Sequence, residues 1–215
     1  MSVAVATKDT ARARIGRPPD TDPAHTRRRI LDAARHEFAH RGYAAATNRS
    51  IAAAATLTTG AVYHHYASKA DLYLAVHADA HDLVYERFRL AVRDGSSFVE
   101  MVDAMLDAAA DMNQEDPTLA TFIAAARVDR RRHTELAELL PDDRVRRSRF
   151  FRTLLDAGTR SGEITGDERA QMEAFLHAAV VGLNDGASDD AARQRATINA
   201  IKAAVRGLVH TTQHD

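Results

Sequence analysis

The stretch TNRSIAAAATLTTGAVYHHYASKADL, residues 47–72, decides the fold of this chain. It predicts two short helices joined by a tight turn at about residues 56–58, with a longer helix beginning directly behind them. Thr47, Thr58 and Ser68 stand at the three starts, where a hydroxyl oxygen can accept a hydrogen bond from a first-turn N–H that has no partner inside the helix. This layout is typical of a helix-turn-helix that binds DNA.

The second short helix has two distinct faces. Val62 and Tyr66 are four residues apart and point the same way, so they predict a packing face. The other side carries Thr59, Gly60, Tyr63 and His64. One face is therefore expected to pack against the protein and the other to remain free.

Two motifs in this stretch resemble a known family. T-x-R-x-I-A, from Thr47, and T-x-G-x-x-Y-x-H-Y-x-S-K-x-x-L, from Thr58 to Leu72, look like the DNA-binding domain of the tetracycline-repressor (TetR) family. The segment RILDAARHEFAHRGY, residues 29–43, is similar to that family's first helix. In one departure, Thr56 occupies the turn where the family usually has glycine. A β-branched residue suits a positive φ poorly, so we expect a slightly reshaped turn.

The resemblance also implies roles for individual residues. It implies that Arg49, Tyr63 and Lys69 lie at DNA phosphates. It implies that Thr59, Ala61 and His64 lie where a reading helix meets base edges. The expected DNA-binding set is Arg12, Arg14, Arg17, Thr47, Arg49, Thr58, Thr59, Gly60, Ala61, Tyr63, His64 and Lys69.

Residues 1–22 are polar, contain prolines and lack an apolar period, which predicts a flexible basic arm. Its run ARARIGRPP, with Arg12, Arg14 and Arg17, resembles short Arg-Gly-Arg-Pro segments that lie in the minor groove of A·T-rich DNA. The narrow groove concentrates negative potential there and attracts arginine. A tail whose charge only aids solubility explains so short a pattern equally well.

The length allows either one ordinary domain or a small domain joined to a larger one. Its 215 residues are 45% hydrophobic, enough for a sizeable core, and it has no cysteine, which excludes disulfides and thiolate metal sites. No apolar run reaches the length of a signal peptide or a membrane span. We therefore expect a cytoplasmic protein with no membrane partner.

The net charge of −1 conceals an uneven distribution. Residues 1–70 hold eleven Lys and Arg against five Asp and Glu, whereas the remainder holds eighteen against twenty-five. A basic segment on an acidic body indicates that polyanion binding is confined to the N-terminal part. An uneven scatter of surface charge is the alternative.

The fold class predicted from these patterns is all-α. A first helix over 26–41 stops at Gly42, and helical patterns continue beyond Ser68 without a credible strand. The later helices are expected over 69–93, 97–113, 117–139, 142–160, 167–185 and 189–210. A three-helix DNA-binding domain over 23–70 is thus joined to a larger ligand-binding and dimerisation bundle over 71–215, about nine helices in all.

A methionine-rich stripe on the helix over 97–113 is a candidate ligand pocket. Clustered methionine suits a cavity that accepts varied shapes, although plain core packing explains the stripe by itself. The resemblance favours the cavity, because similar proteins hold a small ligand inside their bundle. The expected pocket residues are Met101, Met105, Ala109, Met112, Phe122, Ile123, Ala126, Phe151 and Leu155.

The last two helices carry apolar stripes that one chain can cover only in part. In the resembling family the same pair of helices forms a four-helix contact between two subunits, so we expect a homodimer. The expected interface residues are Phe175, Leu176, Ala179, Val180, Leu183, Ile198, Ile201 and Val205.

The sequence gives only weak indications of a metal site, an acidic-ligand site or a catalytic site. His77 and His81 are four residues apart, a spacing at which two imidazoles can share a metal, but the sequence supplies no obvious third ligand, so neither a metal nor a cofactor is expected. The cluster Arg127, Arg130, Arg131 and Arg132 reads as a solvated face or an intersubunit ion-pair site, with an acidic-ligand site as the alternative. No phosphate-binding loop and no nucleophile motif is present.

These patterns predict a ligand-responsive transcriptional regulator rather than an enzyme. Its expected partners are an operator in double-stranded DNA, a small-molecule effector of unknown identity and a second copy of itself. The alternative is an all-α ligand carrier or enzyme with a basic N-terminal end. That alternative predicts no steep salt dependence of DNA affinity.

Overall fold

The computed structural model describes residues 22–186 and 191–212, and within these ranges the chain forms ten helices and no strand. The helices are α1 (Pro23–Ala45), α2 (Asn48–Ala54), α3 (Thr59–His65), α4 (Lys69–Val92), α5 (Phe98–Glu115), α6 (Thr118–Arg132), α7 (Thr134–Leu139), α8 (Asp143–Ser161), α9 (Arg169–Gly186) and α10 (Ala191–Thr212). The predicted all-α fold class is confirmed. None of these helices is both long enough and apolar enough to cross a bilayer.

Side-chain hydroxyl groups cap the N-termini of α2, α3 and α4, as predicted. Thr47 Oγ1 accepts from the N–H of Ser50 at 3.0 Å, and Ser50 Oγ accepts from the N–H of Thr47 at 3.2 Å, which completes a capping box. Thr58 and Ser68 cap α3 and α4 with bonds of 3.1 and 3.0 Å. Each bond satisfies a donor that the helix cannot satisfy itself, so the side chains fix where each helix starts.

α2 ends in a Schellman turn whose left-handed position is occupied by Thr56. The N–H of Leu57 donates to the C=O of Ala52 at 2.8 Å, and the N–H of Thr56 donates to the C=O of Ala53 at 3.0 Å. Thr56 has a φ of 55°, the only positive φ of a non-glycine residue in the described ranges. The expected reshaping of the turn is therefore wrong. The turn keeps its left-handed residue, at a strain of about 1–2 kcal/mol for a side chain with a Cβ.

α1 changes direction at Gly42, where the sequence predicts its stop. Gly42 has a φ of 72° and a ψ of 169°, so the last residues assigned to α1 lie beyond a kink. A glycine adopts this positive φ without the clash that a Cβ would introduce. The kink places the backbone of Tyr43 beside α6.

Two clusters of buried side chains share α4. We call α1 to α3 the head. The head's core also takes in side chains of α4, α6 and α7 and includes Phe38, Val62, Tyr73, Phe122 and Leu136. The body's core takes in the second half of α4 with α5, α8, α9 and α10 and includes Phe88, Phe98, Phe151, Leu176 and Val205. Since α4 contributes to both, it links the two cores directly.

The helix predicted over 117–139 is two helices, a correction that adds one to the predicted nine. The break is at His133, whose φ of −122° and ψ of 110° are extended. No glycine or proline marks the position in the sequence. The change of direction lets Leu136 and Leu140 bury their side chains in the head's core. The rings of His133 and Tyr43 pack edge to face, with their centres 5.1 Å apart. Tertiary packing therefore decides this break.

Replacing Thr56 by asparagine should raise the free energy of unfolding by about 0.5–1 kcal/mol, because asparagine adopts the left-handed conformation more readily. The Thr56 side chain is exposed, so little packing is lost. Chemical denaturation measures the change. Thr56→Val, which keeps the β-branch, is the control and should gain nothing. A Thr56→Asn protein no more stable than Thr56→Val would contradict the assigned strain.

Candidate functional site

One face of α3 is fixed in the head's core and the other is open to solvent. Val62 is completely buried, whereas Tyr63 is 55% exposed and His64 is also exposed. Gly60 is exposed as well, and a Cβ added there would meet only the Thr58 hydroxyl at 3.8 Å. The fold thus does not require glycine at this position. The helix presents an aromatic ring and an imidazole on a rigid support.

The other expected DNA-binding residues of the head have different surroundings. Arg49 is exposed on α2, while Thr59 and Ala61 are half-buried on α3. Thr47 and Thr58 use their hydroxyl oxygens to cap α2 and α3. These two threonines therefore already have a structural role at the helix starts.

Lys69 holds together the start of α4 and the end of α1. Its Nζ donates to the C=O of Tyr43 at 2.7 Å and to the C=O of Ala46 at 3.1 Å, and it lies 4.3 Å from the centre of the Tyr43 ring. The half-buried ammonium thus supports the backbone between α1 and α2. Replacing Lys69 would disturb the head as well as any phosphate contact.

A buried carboxylate joins α6 to the head. Asp129 Oδ2 accepts from the backbone N–H of Tyr43 and from the Tyr73 hydroxyl, both at 3.0 Å. Burial, and then the nearby carboxylate, raises the pKa of Tyr73, which keeps its hydroxyl a donor. Asp129 therefore connects α6 to the kink of α1 and to α4 in one group of hydrogen bonds.

An ion pair fastens the other end of α6 to α1. The guanidinium of Arg35 is 2.5 Å from Asp116 Oδ2, just before α6, and its Nε donates to the Thr118 hydroxyl at 3.1 Å. The Arg35 side chain is almost buried, so the pair is shielded from solvent more than a surface pair. Movement of α6 would therefore be transmitted to α1 from both ends.

The body encloses a cavity of about 70 Å³. Its apolar wall includes Met105, Ala109, Met112 and Ile123, four of the nine residues expected for a pocket. Among its polar groups, Asn113 and Gln194 are joined by a hydrogen bond of 3.0 Å. The apolar wall and the few polar groups are typical of a small-molecule site, although the volume is below the roughly 300–1,000 Å³ of such sites.

The remaining expected pocket residues are not at this cavity. Phe122 and Ala126 pack in the head's core, because α6 turns that face toward α1. Met101, Phe151 and Leu155 pack in the body's core without lining the cavity. Four of these residues are accounted for by core packing alone, whereas Ala126 also lines a second cleft.

The sequence analysis missed the contribution of α4 to the cavity. His81, Val84, Tyr85 and Phe88 line it from α4, and Val180 and Leu183 line it from α9. Burial raises the pKa of Tyr85 to about 12, so its hydroxyl is a neutral donor in the wall. The recurrence of aromatic residues along α4 at helical spacing was the available signal. The family resemblance, by contrast, implies a pocket built from later helices.

A second, more polar cleft of about 380 Å³ lies among α4, α6, α7 and α8. Arg127, Arg130 and Arg131 line it, so this part of the arginine cluster is more than a solvated face. Burial, with Arg147 and Arg131 nearby, lowers the pKa of the Arg127 guanidinium. Arg132 is exposed and lies outside the cleft.

His77 and His81 meet Asp143 in the wall between these two spaces. The Nε2 of His77 is 3.3 Å from the Asp143 carboxylate, and the Nε2 of His81 is 3.2 Å from it. In the described part of the chain, this is the only group of three side chains placed to hold a metal ion. Asp143 is the third candidate ligand, which the sequence did not reveal because it is 66 residues from His77.

Several residues expected at the dimer interface are used inside the chain. Leu176, Leu183, Ile198 and Val205 are buried in the body's core. Phe175, Ala179, Val180 and Ile201 are half-buried. Small residues are exposed at several positions of α9 and α10, and Leu208 is exposed among them: Ala174, Ala178, Gly182, Ala203, Ala204 and Gly207. These positions, rather than the buried stripe, are available to a second subunit.

Comparison with known proteins agrees with the helix-turn-helix geometry. Residues 30–76 match the family of bacterial regulatory proteins of the tetR type. The transcriptional regulator UidR of Escherichia coli K12 is 24% identical over 191 residues, covering 88% of this chain and 95% of its own length. The repressor AcnR of Corynebacterium glutamicum is 41% identical over 54 residues, 25% of this chain and 29% of AcnR. The structure of Salmonella enterica GusR superposes with a TM-score of 0.65 at 23% identity, covering 89% of this chain and 98% of GusR.

The chain belongs to the TetR family. It is a TetR-family transcriptional regulator, and the matched segment contains α2, α3 and the start of α4. Every expected DNA-binding residue from Thr47 to Lys69 lies inside that segment of the TetR-family chain. Arg12, Arg14 and Arg17 precede it and lie outside the described residues.

Proposed function

We propose that this TetR-family regulator is a homodimeric repressor that binds a near-palindromic operator and releases it when a small molecule enters the body. The observation that carries the proposal is the open face of α3, held rigidly by Val62 in the head's core. The similarity to AcnR, which is named as a repressor, supports repression rather than activation. Binding chromosomal DNA would require the protein to act in the cytoplasm.

The head offers separate groups for base edges and for phosphates. His64, Thr59 and Ala61 on α3 would meet base edges in the major groove, where donors and acceptors distinguish all four base pairs. Arg49 and Tyr63 are exposed and would contact phosphates, which contribute affinity without sequence preference. Gly60, which the fold does not require, would allow the DNA backbone to approach closely.

Dimerisation would cover the small-residue faces of α9 and α10. A Cβ added to Gly182 or Gly207 meets nothing within 4 Å, so both positions are open to a partner helix. Small side chains allow two helices to approach closely, and Leu208, 42% exposed, would supply apolar area. Two-fold symmetry would then bring two α3 helices to the two halves of an operator.

The effector would act by opening the body's cavity. A cavity of about 70 Å³ must widen to admit a drug-sized molecule, which requires α4 to move relative to α5 and α9. α4 has 24 residues and, at 1.5 Å per residue, is about 36 Å long, so a small displacement at the cavity changes the position of the head. The ligand shifts the equilibrium only through its greater affinity for the opened state.

The DNA-binding assignment is tested with the intergenic DNA beside the protein's own gene. His64→Ala should cost about 1–3 kcal/mol on the preferred sequence and much less on random DNA. Arg49→Ala should weaken binding to both and reduce the salt slope by about one unit for each lost charge. Affinities measured over a range of salt concentrations distinguish the two variants. Equal losses of affinity on both DNAs would remove His64 from the base-reading group. If the DNA affinity of the wild-type protein did not depend steeply on salt, a ligand carrier or enzyme would be favoured.

The dimer assignment is tested at exposed positions, where a substitution leaves the core of the subunit intact. Ala178→Arg and Leu208→Asp should each yield a folded monomer, because both place a charge against its symmetry copy. Val145→Asp, at an apolar residue 65% exposed on α8, is the matched control and should remain dimeric. Analytical ultracentrifugation measures the assembly. Dimers that persist in both test variants would place the interface elsewhere.

The effector assignment is tested by filling the cavity. Ala109→Phe should weaken induction while leaving operator affinity within about tenfold, because the ring occupies the cavity and the α3 face is untouched. Ala78→Phe, at an exposed position of α4, is the control. Ala126→Phe should instead destabilise the head by about 1–3 kcal/mol through overpacking. The measurements are operator release by an inducer found by screening, and thermal stability. If a folded Ala109→Phe protein released the operator at an unchanged inducer concentration, the effector would not bind in this cavity.

A further inference from the structure

Two buried imidazoles and a carboxylate from two helices converge without a role in the proposed DNA binding. His77 and His81 are 3% and 5% exposed on α4, and Asp143 lies in the first turn of α8. One donor atom from each of the three lies within 4.8 Å of the other two. The imidazole centres of His77 and His81 are 4.4 Å apart. Both rings therefore direct nitrogen atoms to one carboxylate.

Two of the three separations between the donor atoms match those around a tetrahedral ion. Zinc bonds of about 2.1 Å at tetrahedral angles place ligand atoms about 3.4 Å apart. The Nε2 atoms of His77 and His81 are 3.3 and 3.2 Å from the Asp143 oxygen. With all three donor atoms within 4.8 Å of one another, small side-chain adjustments would bring them around one ion.

His81 provides an independent observation. Both of its ring nitrogens are buried and neither has a hydrogen-bond partner, because the contact of Nε2 with Asp143 lacks hydrogen-bond geometry. An unsatisfied buried polar atom costs about 1–3 kcal/mol. Asp143 is within ion-pair distance of both rings, but only its contact with His77 is a hydrogen bond, so the His81 nitrogens stay without a hydrogen-bond partner. A coordinated ion would account for the orientation of both rings.

We propose that His77 Nε2, His81 Nε2 and an Asp143 carboxylate oxygen bind a divalent transition-metal ion of the zinc class. Two imidazole ligands favour zinc and its neighbours over magnesium and calcium, which prefer oxygen. Three protein ligands leave one tetrahedral position open. The site requires no DNA and is independent of the proposed function.

The surrounding charges indicate what occupies the open position. His81 lines the small cavity, His77 and Asp143 line the polar cleft, and Arg147 lines both. The Arg147 side chain is positively charged, and its Nε donates to His177 Nδ1 at 2.7 Å. It would repel a metal cation whose charge is not balanced by an anion. An anionic donor, such as a carboxylate or hydroxide, would complete the coordination and offset the added charge. The fourth ligand is therefore an anionic donor, either hydroxide from solvent or a small carboxylate.

The test uses the full chain without a polyhistidine tag, stripped of metal by a chelator and titrated with Zn²⁺ and with Co²⁺ in competition with a chromophoric chelator. The wild-type protein should bind one ion per chain, and Co²⁺ should give the intense visible bands of a tetrahedral complex. His81→Gln and Asp143→Asn should each weaken binding at least about 100-fold, beyond the 10–100-fold typical of outer-shell changes. Zinc should raise the melting temperature of the wild type and of neither variant.

His40→Gln is the matched control, because His36 and His40 form a second pair four residues apart, exposed on α1, with ring centres 4.3 Å apart. This variant should bind metal like the wild type. Melting of the metal-free proteins verifies folding, and two ligand variants on different helices keep the test valid if one of them misfolds. No binding by the wild type, or equal binding by the wild type and a folded ligand variant, would overturn the proposal and leave an ion pair at this position.

Discussion

The buried carboxylate of Asp129 fixes the relation between the two parts of this molecule. It accepts hydrogen bonds from the backbone of α1 and from the Tyr73 hydroxyl on α4, so three helices meet at one side chain. A carboxylate in this position must keep its partners, because each donor left unsatisfied costs about 1–3 kcal/mol. The head can therefore change its orientation only together with α4 and α6. Under the proposed function, that constraint would couple a ligand in the body to DNA binding.

The packing of α4 also couples the head to the body. Tyr73 belongs to the head's core and Phe88 to the body's core, so the helix has no segment that can bend without disturbing one of them. Close-packed interiors transmit displacement rather than absorb it. The cavity, the two histidines and the start of the head all lie along this helix. Under the proposed function, control of the regulator would be concentrated in this one helix.

The sequence predicted the local features well and the distant contacts poorly. Helix starts at Thr47, Thr58 and Ser68 depend on neighbours within three residues, and these were confirmed together with the all-α class. The break at His133 and the turning of Ala126 toward α1 depend on tertiary packing, which periodicity does not reveal. Asp143 could not be assigned to the histidine pair because no motif connects them. The φ of Thr56 shows that a local rule can be overridden by a turn with two hydrogen bonds.

The small volume of the cavity has a consequence for the dose at which such a regulator responds. If an inducer binds only a widened form, its apparent dissociation constant is the intrinsic one divided by the fraction of molecules already widened. A form populated at about 1% would make the protein about 100-fold less sensitive than its contacts with the inducer allow. Substitutions that loosen the packing of α4 against α5 could then change the threshold concentration without changing the preferred compound. Sensitivity and selectivity would be adjustable at different residues.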